Sequence, residues 1–287
     1  MQSSVTHDLT RDESSASRTR QEPPPNARAW LAIARVNLRD VRAVWLRHLE
    51  VYLRLWKMEL AAPLIEPFFM IFAFGWGIGS LIGSTVTGLP YLSFVGAGVL
   101  AFTVISRSLF ETTYGSYFRM VYQSTFDAIL ATPVDVESLA FAEICWATTK
   151  ALIDSFIILL VLYFFGAATS PLAVFAPLPL LLACFFAAAL SLAITAHIHD
   201  IDSYNLYLNL YFSAIFLCGV WFPVEVLPAA LQWVAWAIPL TSAIDIARAL
   251  LTGTLRTHHA YEVVYLLATA FISTEWALRS LRRRMVA

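Results

Sequence analysis

The sequence predicts an all-α integral membrane fold: six transmembrane helices, an N-terminal interfacial amphipathic helix, and a re-entrant outer helical hairpin before the last span. Three observations carry this. Hydrophobic residues make up 59% of the 287 and charged residues 14%, with a mean hydropathy of +0.68, whereas globular chains hold about 45–50% apolar and about 25% charged residues. No Asp, Glu, Lys or Arg occurs over residues 67–106 or over residues 155–199. A helix needs roughly 20 apolar residues to cross about 30 Å of hydrocarbon, so each run holds two crossings and a turn. Gly and Pro punctuate the apolar runs where spans would end.

Taken in order, residues 1–28 are polar and run through Gln21-Glu-Pro-Pro-Pro25, which reads as a disordered cytosolic tail rather than a secretory leader. Residues 29–58 predict a helix lying on the membrane. At 100° per residue Arg28, Arg35, Arg39, Arg42 and Lys57 share one side, and Trp30, Ile33, Val41, Val44, Val51 and Leu55 the other. Such a helix also favours anionic membrane lipids. A six-span domain follows over 59–279, with crossings near 62–82, 91–109, 139–165, 172–196, 204–222 and 261–278. Glu262 and Glu275 bracket the last one and weaken it. Residues 280–287 form a basic cytosolic tail. Ten of the 19 basic residues precede Glu59, and Arg279, Arg282, Arg283 and Arg284 crowd the other end. An even number of spans with basic ends places both termini in the cytosol of a multi-pass protein of the cytoplasmic (inner) membrane. The turns 83–90 and 166–171 hold no basic residue, as outer loops should.

Residues 223–250 are apolar but broken by Pro228 and Pro239, too interrupted to cross and suited to entering the outer leaflet and returning. Trp221, Phe222, Trp233 and Trp236 fit that interfacial depth. The connection between the second and third spans predicts a helix over 115–132, with Tyr117, Met120, Val121, Phe126, Ile129 and Leu130 in one stripe, stopped by Pro133. Two readings stay open for it: docking onto a partner, or floating on the lipid surface.

Glu143, Lys150 and Asp154 are charges at membrane depth, with Lys150 and Asp154 able to pair at i, i+4. They mark either a transport route or a structural pair between helices. His197, His199, Asp200 and Asp202 resemble a metal cluster, yet the two histidines point about 200° apart on a helix. No metal ligand is assigned. Cys145, Cys184 and Cys218 read as small core residues, and His258 with His259 as surface. The chain is not basic as a whole, which excludes a nucleic-acid partner. GxSxG, HExxH and Walker A motifs do not occur, so the chain itself carries no catalytic residues and binds no cofactor; any ATP and Mg belong to a partner.

Local motifs add to this. Glu111-Thr-Thr-Tyr-Gly115, Phe118-Arg-Met120, Thr125-Phe-Asp-Ala-Ile-Leu-Ala-Thr-Pro133, and Ala142-Glu143 before Trp146-Ala-Thr-Thr-Lys150 occur in the first half. Gly219-Val-Trp-Phe-Pro223, Leu227-Pro228, Pro239-Leu-Thr and Asp245-Ile-Ala-Arg248 occur in the second. With the order of elements, they resemble the membrane permease subunit of type 2 ATP-binding-cassette exporters, closest to the subgroup that exports lipo-oligosaccharide nodulation factors. The resemblance covers about residues 29–280; Trp221 stands where a smaller or phenylalanine-type residue is the norm. It implies a homodimer or paired permease, a separate ABC ATPase subunit, and an amphipathic substrate such as a lipo-oligosaccharide, lipid-linked glycan or hydrophobic drug-like molecule. It implies ATPase coupling through Arg119, Tyr122, Thr125, Phe126, Asp127, Leu130 and Pro133. It also implies a cargo path lined by Phe72, Trp76, Tyr204, Tyr207 and Tyr211, and an outer segment built on Trp221, Phe222, Pro223, Pro239, Asp245 and Arg248. The competing expectation is an integral-membrane metal-dependent enzyme acting on a lipid through His197, His199, Asp200 and Asp202.

Overall fold

In a bilayer every backbone N–H and C=O must be satisfied within the protein, and long continuous apolar runs of this kind do so as helices. The computed structural model describes residues 31–82, 85, 86 and 88–286. The tail expected at 1–28, with Arg28 and Trp30 of the amphipathic pattern, lies outside the described residues.

A 3-10 turn (Ala32–Arg35) leads to Asn37, whose side chain accepts the Arg39 N–H and opens helix α1 (Leu38–Ile71). The chain continues through a π-helical stretch (Phe72–Ile78) into α2 (Gly79–Ile82), one 44-residue helix from Leu38 to Leu81. The boundary expected at residue 58, between an interfacial helix and the first span, is absent. Residues 54–62 contain no Gly or Pro and consist mostly of strong helix formers, so nothing interrupts the helix there. A short antiparallel pair, β1 (Thr85–Val86) and β2 (Leu89–Pro90), turns the chain into α3 (Tyr91–Phe110).

The helical path of α3 persists through π-helical Glu111–Gly115 and Phe118–Tyr122. It stops at Ser124, which sits at φ 47°, with the Gln123 N–H folded back to the Phe118 carbonyl at 2.9 Å. A six-residue helix, α4 (Thr125–Leu130), follows. The single helix expected over 115–132 is therefore two pieces. Gln123 and Ser124 are both exposed, and no packing opposes the break.

Next come α5 (Val136–Phe164), a 3-10 turn (Pro171–Phe175), α6 (Pro177–Thr195) and α7 (Tyr204–Leu217). α8 (Ala229–Ala237) and α9 (Pro239–Thr252) meet at 87°, with Pro239 at the first position of α9, where its missing N–H costs no hydrogen bond. α10 (His259–Val286) closes the chain. The stretch expected as a basic tail over 280–287 is helical through Val286 and tied down. Arg284 donates to the carbonyls of Thr195 (2.8 Å) and Ile198, and Arg282 pairs with Glu137.

Among the described residues four helices are long and apolar enough to cross a membrane: Leu38–Leu81, Tyr91–Tyr122, Val136–Phe164 and Pro171–Thr195; the bent α8–α9 pair makes a fifth candidate. Two apolar cores stack along this bundle. One joins α3, α9 and the later halves of α5 and the earlier half of α6; the other joins the start of α1, Phe126, the early part of α5, the late part of α6 and the end of α10. Ala183, Ala187, Ala188, Ala189 and Ala193 of α6 are all buried, and their small side chains let neighbouring helices approach closely where no hydrophobic effect drives association.

Candidate functional site: an ion ladder and an outer seam

Glu143, Lys150 and Asp154 stand at i, i+7 and i+11 and so share one face of α5. That face meets α1 and α3, which return charges of alternating sign. Asp154 accepts from Arg107 at 3.2 Å, and Arg107 reaches Glu59 at 3.4 Å. Lys150 donates to Glu59 at 2.7 Å and to Glu111 at 3.2 Å. Arg119 donates to Glu111 at 3.0 Å and to Glu143 at 2.6 Å. His48 Nε2 lies 2.9 Å from the other oxygen of Glu143, and the Ser116 hydroxyl donates to Glu143 at 2.8 Å. The result is an unbroken ladder from Asp154 to His48, set where the two apolar cores meet. An unpaired charge here would cost several kcal/mol, and alternation gives each one a partner of opposite sign.

The pairing of Lys150 with Asp154 expected from their spacing does not form. Each is bound to other helices, because α1 and α3 bring opposite charges across the interface: Lys150 meets two carboxylates and Asp154 the Arg107 guanidinium. The π turns matter too. An α-helical path would rotate Arg119 roughly 80° away from Glu111; π turns wind less per residue and bring it back to the same face.

The residues expected to meet an ATPase divide into two groups. Arg119 is committed to the ladder, and Phe126 is fully buried, anchoring α4 to the core; neither faces outward. A six-residue helix can hold on only through its apolar side, and Phe126 is that hold. Tyr122 is 61% exposed, Asp127 and Pro133 are exposed, and Thr125 and Leu130 are partly buried. Between α1 and α4 lies a groove of about 360 Å³ lined by Ala43, Arg47, Gln123, Ala128 and Thr132 among others. Sequence periodicity missed Arg47 and Ala128, since nothing in a linear pattern says that α1 passes beside α4.

The expected cargo-path residues are not brought together. Phe72 and Trp76 are exposed and touch, their ring centroids 5.0 Å apart. Tyr204 is fully buried against Tyr114 and Tyr117, which excludes it from any path in this conformation. Tyr207 bonds Ser191 at 2.8 Å and Tyr211 lies 3.4 Å from the Ser106 hydroxyl, so both turn toward α3 and α6. The spacing of the three tyrosines marks one stripe of α7 but not which way it faces. The opposite stripe, with Asn205, Leu206, Asn209, Leu210 and Ser213, is the exposed one. Two amides at i, i+4 in an otherwise largely apolar helix were the signal that could have found it.

At the outer seam Arg248 donates to the Gly219 carbonyl at 2.7 Å and lies 3.8 Å from the Phe94 ring centroid, a cation–π contact. A Cβ on Gly98 would stand 2.1 Å from the Val220 carbonyl oxygen, so α3 can pass this loop only with glycine there. Trp221 stacks on Phe74 at 4.3 Å and contacts Phe102 at 5.8 Å, tying the loop to the π-helical end of α1. Phe222 and Pro223 are partly buried, Pro239 is buried at the start of α9, and Asp245 is partly exposed.

His197 and His199 do not form a metal-binding group among the described residues. His197 Nδ1 lies 2.8 Å from the Ala193 carbonyl, and the Tyr117 hydroxyl donates to the His199 carbonyl. Ligand atoms converge elsewhere, at Asp245, His258, His259 and Glu262. The expectation that His258 and His259 are both surface residues fails for His259, which is 6% exposed. Cys184 and Cys218 are buried, Cys145 is partly so, and all three are free thiols.

Apolar helices enclosing a ladder of paired charges, with a bent helix pair at one end, define a multi-pass membrane protein. The chain belongs to the ABC-2 type transporter family, whose model matches residues 39–252. It is 30% identical over 246 residues to Nodulation protein J of Rhizobium meliloti, covering 85% of this chain and 93% of that protein. Over 247 residues it is 31% identical to Nodulation protein J of Rhizobium leguminosarum bv. trifolii (84% and 94% covered). With that of Bradyrhizobium diazoefficiens the identity is 25% over 258 residues (90% and 98% covered).

Proposed function

We propose that this chain is the permease of an ATP-driven exporter that moves an amphipathic molecule, of the lipo-oligosaccharide or lipid-linked glycan kind, outward across the cytoplasmic membrane. In this reading α7 with the turn after it is a fifth span, α10 is the sixth, and α8 with α9 dips into the outer leaflet. Both termini lie in the cytosol. A second permease, identical or closely related, completes the path, and separate ATPase subunits carry ATP and Mg. The kinship with Nodulation protein J supports the cargo class.

The observation that carries the reading is the ladder. It links α1, α3 and α5 through charged contacts of 2.6–3.4 Å, and its Arg119 end lies one short connection from α4. Displacement of α4 by an ATPase would therefore pull on Arg119 and shift three spans together, because no ladder group can move alone without stranding a charge.

Purification of the tagged protein from native membranes in mild detergent, with mass spectrometry of the bound chains, tests the core of this. The expected result is an ATPase subunit in near-equal amount. A preparation active in export but free of any ATPase would overturn it.

A further inference from the structure

Asp245 on α9, His258, and His259 with Glu262 on the first turn of α10 each present one ligand atom, and these four atoms all lie within 4.8 Å of one another. The geometry points to a transition-metal site of the two-histidine, two-carboxylate kind, suited to Zn²⁺, that staples α9 to the start of α10. It stands apart from the ladder and does not depend on the direction of transport.

The separations leave room for an ion: only His259 with Glu262 is within hydrogen-bond reach, and the contacts to Asp245 are longer. His259 Nδ1 is 3.1 Å from Glu262 and 3.6 Å from Asp245, and His258 Nε2 is 3.5 Å from Asp245. Charge-assisted hydrogen bonds shorten to about 2.7–2.9 Å. Ligand atoms about 2.0–2.1 Å from a tetrahedral zinc stand about 3.3–3.4 Å from one another; these three separations lie close to that, and the four atoms together lie within 4.8 Å. Imidazole nitrogen with carboxylate oxygen is also a donor set that zinc accepts.

Charge points the same way. Two carboxylates converge here, and among the described residues no Arg or Lys forms an ion pair with either. Arg248, one turn after Asp245, is instead engaged by the Gly219 carbonyl and the Phe94 ring. A divalent cation would balance both acids. His259 adds a further sign: it is buried and its Nδ1 faces both carboxylates. An ion can reach the group, since His258 is 50% exposed and a cavity of about 400 Å³ opens over Asp245, His258 and His259.

The test uses the full chain in detergent with a tag free of histidine, stripped with chelator, re-equilibrated with zinc chloride and desalted before metal analysis. About one zinc per chain is expected. His258→Ala, exposed and so safe for folding, and Glu262→Gln should each weaken zinc binding at least tenfold, while His197→Ala should not. Zinc should raise the Tm of the wild type and not of His258→Ala. The proposal is overturned if the wild type retains no more zinc than His258→Ala, if His197→Ala abolishes binding, or if Mg²⁺ alone protects as well as zinc.

Discussion

Glu143 is closed from solvent yet bound on every side, by Arg119, Ser116 and His48, with the Trp146 ring stacked on His48 at 5.6 Å. Removing its charge alone leaves the Arg119 guanidinium half paired in a dry interior. Loss of one partner of a buried pair costs about 3–5 kcal/mol, whereas replacing both with apolar groups of similar volume is often neutral. Glu143→Gln should therefore lower the Tm in detergent markedly, and the double variant Glu143→Gln with Arg119→Met should recover part of the loss. A double variant as unstable as the sum of the singles would mean that the two groups do not act as a pair. The same logic explains why three of these positions were visible in the sequence while their partners were not. Glu143, Lys150 and Asp154 stand out as charges in an apolar run, but only the packing of α1 and α3 shows that Glu59, Arg107, Glu111 and Arg119 answer them.

Among the elements, α4 is where the proposed docking and the bundle would draw on the same few side chains. Phe126 belongs to the bundle, so Phe126→Asp tests folding rather than coupling and should lower the Tm. Asp127 and Ala128 face outward beside the groove against α1. Asp127→Arg with Ala128→Trp should leave the Tm unchanged and reduce ATPase association and export at least tenfold; intact association would remove α4 from the docking surface. Much of the element order was legible in the sequence, because charge-free runs and Gly/Pro stops are local. The expected spans 91–109 and 139–165 correspond to Tyr91–Phe110 and Val136–Phe164. Orientation and continuity were not. In α7 the tyrosine stripe alone does not say which way it turns, the amides Asn205 and Asn209 being the sign that goes unread, and the unbroken passage of α1 past residue 58 reflects an absence of stops rather than any positive signal. The convergence of Asp245 with His258, His259 and Glu262 was illegible for a third reason: it depends on how α9 and α10 are stacked.

For the whole molecule the open question is what covers its outward faces. α1 and its π-helical end leave Leu64, Ile65, Phe68, Phe69, Phe72 and Trp76 exposed, and lipid tails can cover these at no cost. The exposed stripe of α7 is different. Asn205, Asn209 and Ser213 run along it beside Leu206 and Leu210, and amides and hydroxyls facing hydrocarbon are expensive. That stripe is satisfied if it faces a second permease across a path wet enough for sugar hydroxyls. It then supplies both halves of what an amphipathic cargo needs, hydrogen-bonding amides and apolar leucines. Replacing both amides, Asn205→Leu with Asn209→Leu, removes the polar half while keeping the helix and its lipid tolerance. In vesicles containing the permease with its ATPase, this variant should keep basal ATP hydrolysis and Tm, and should lose at least tenfold in cargo-stimulated hydrolysis and transport. Full cargo stimulation in the variant would place the path elsewhere. A fall in basal hydrolysis or Tm would instead assign the amides to assembly of the two permeases rather than to recognition of what passes between them.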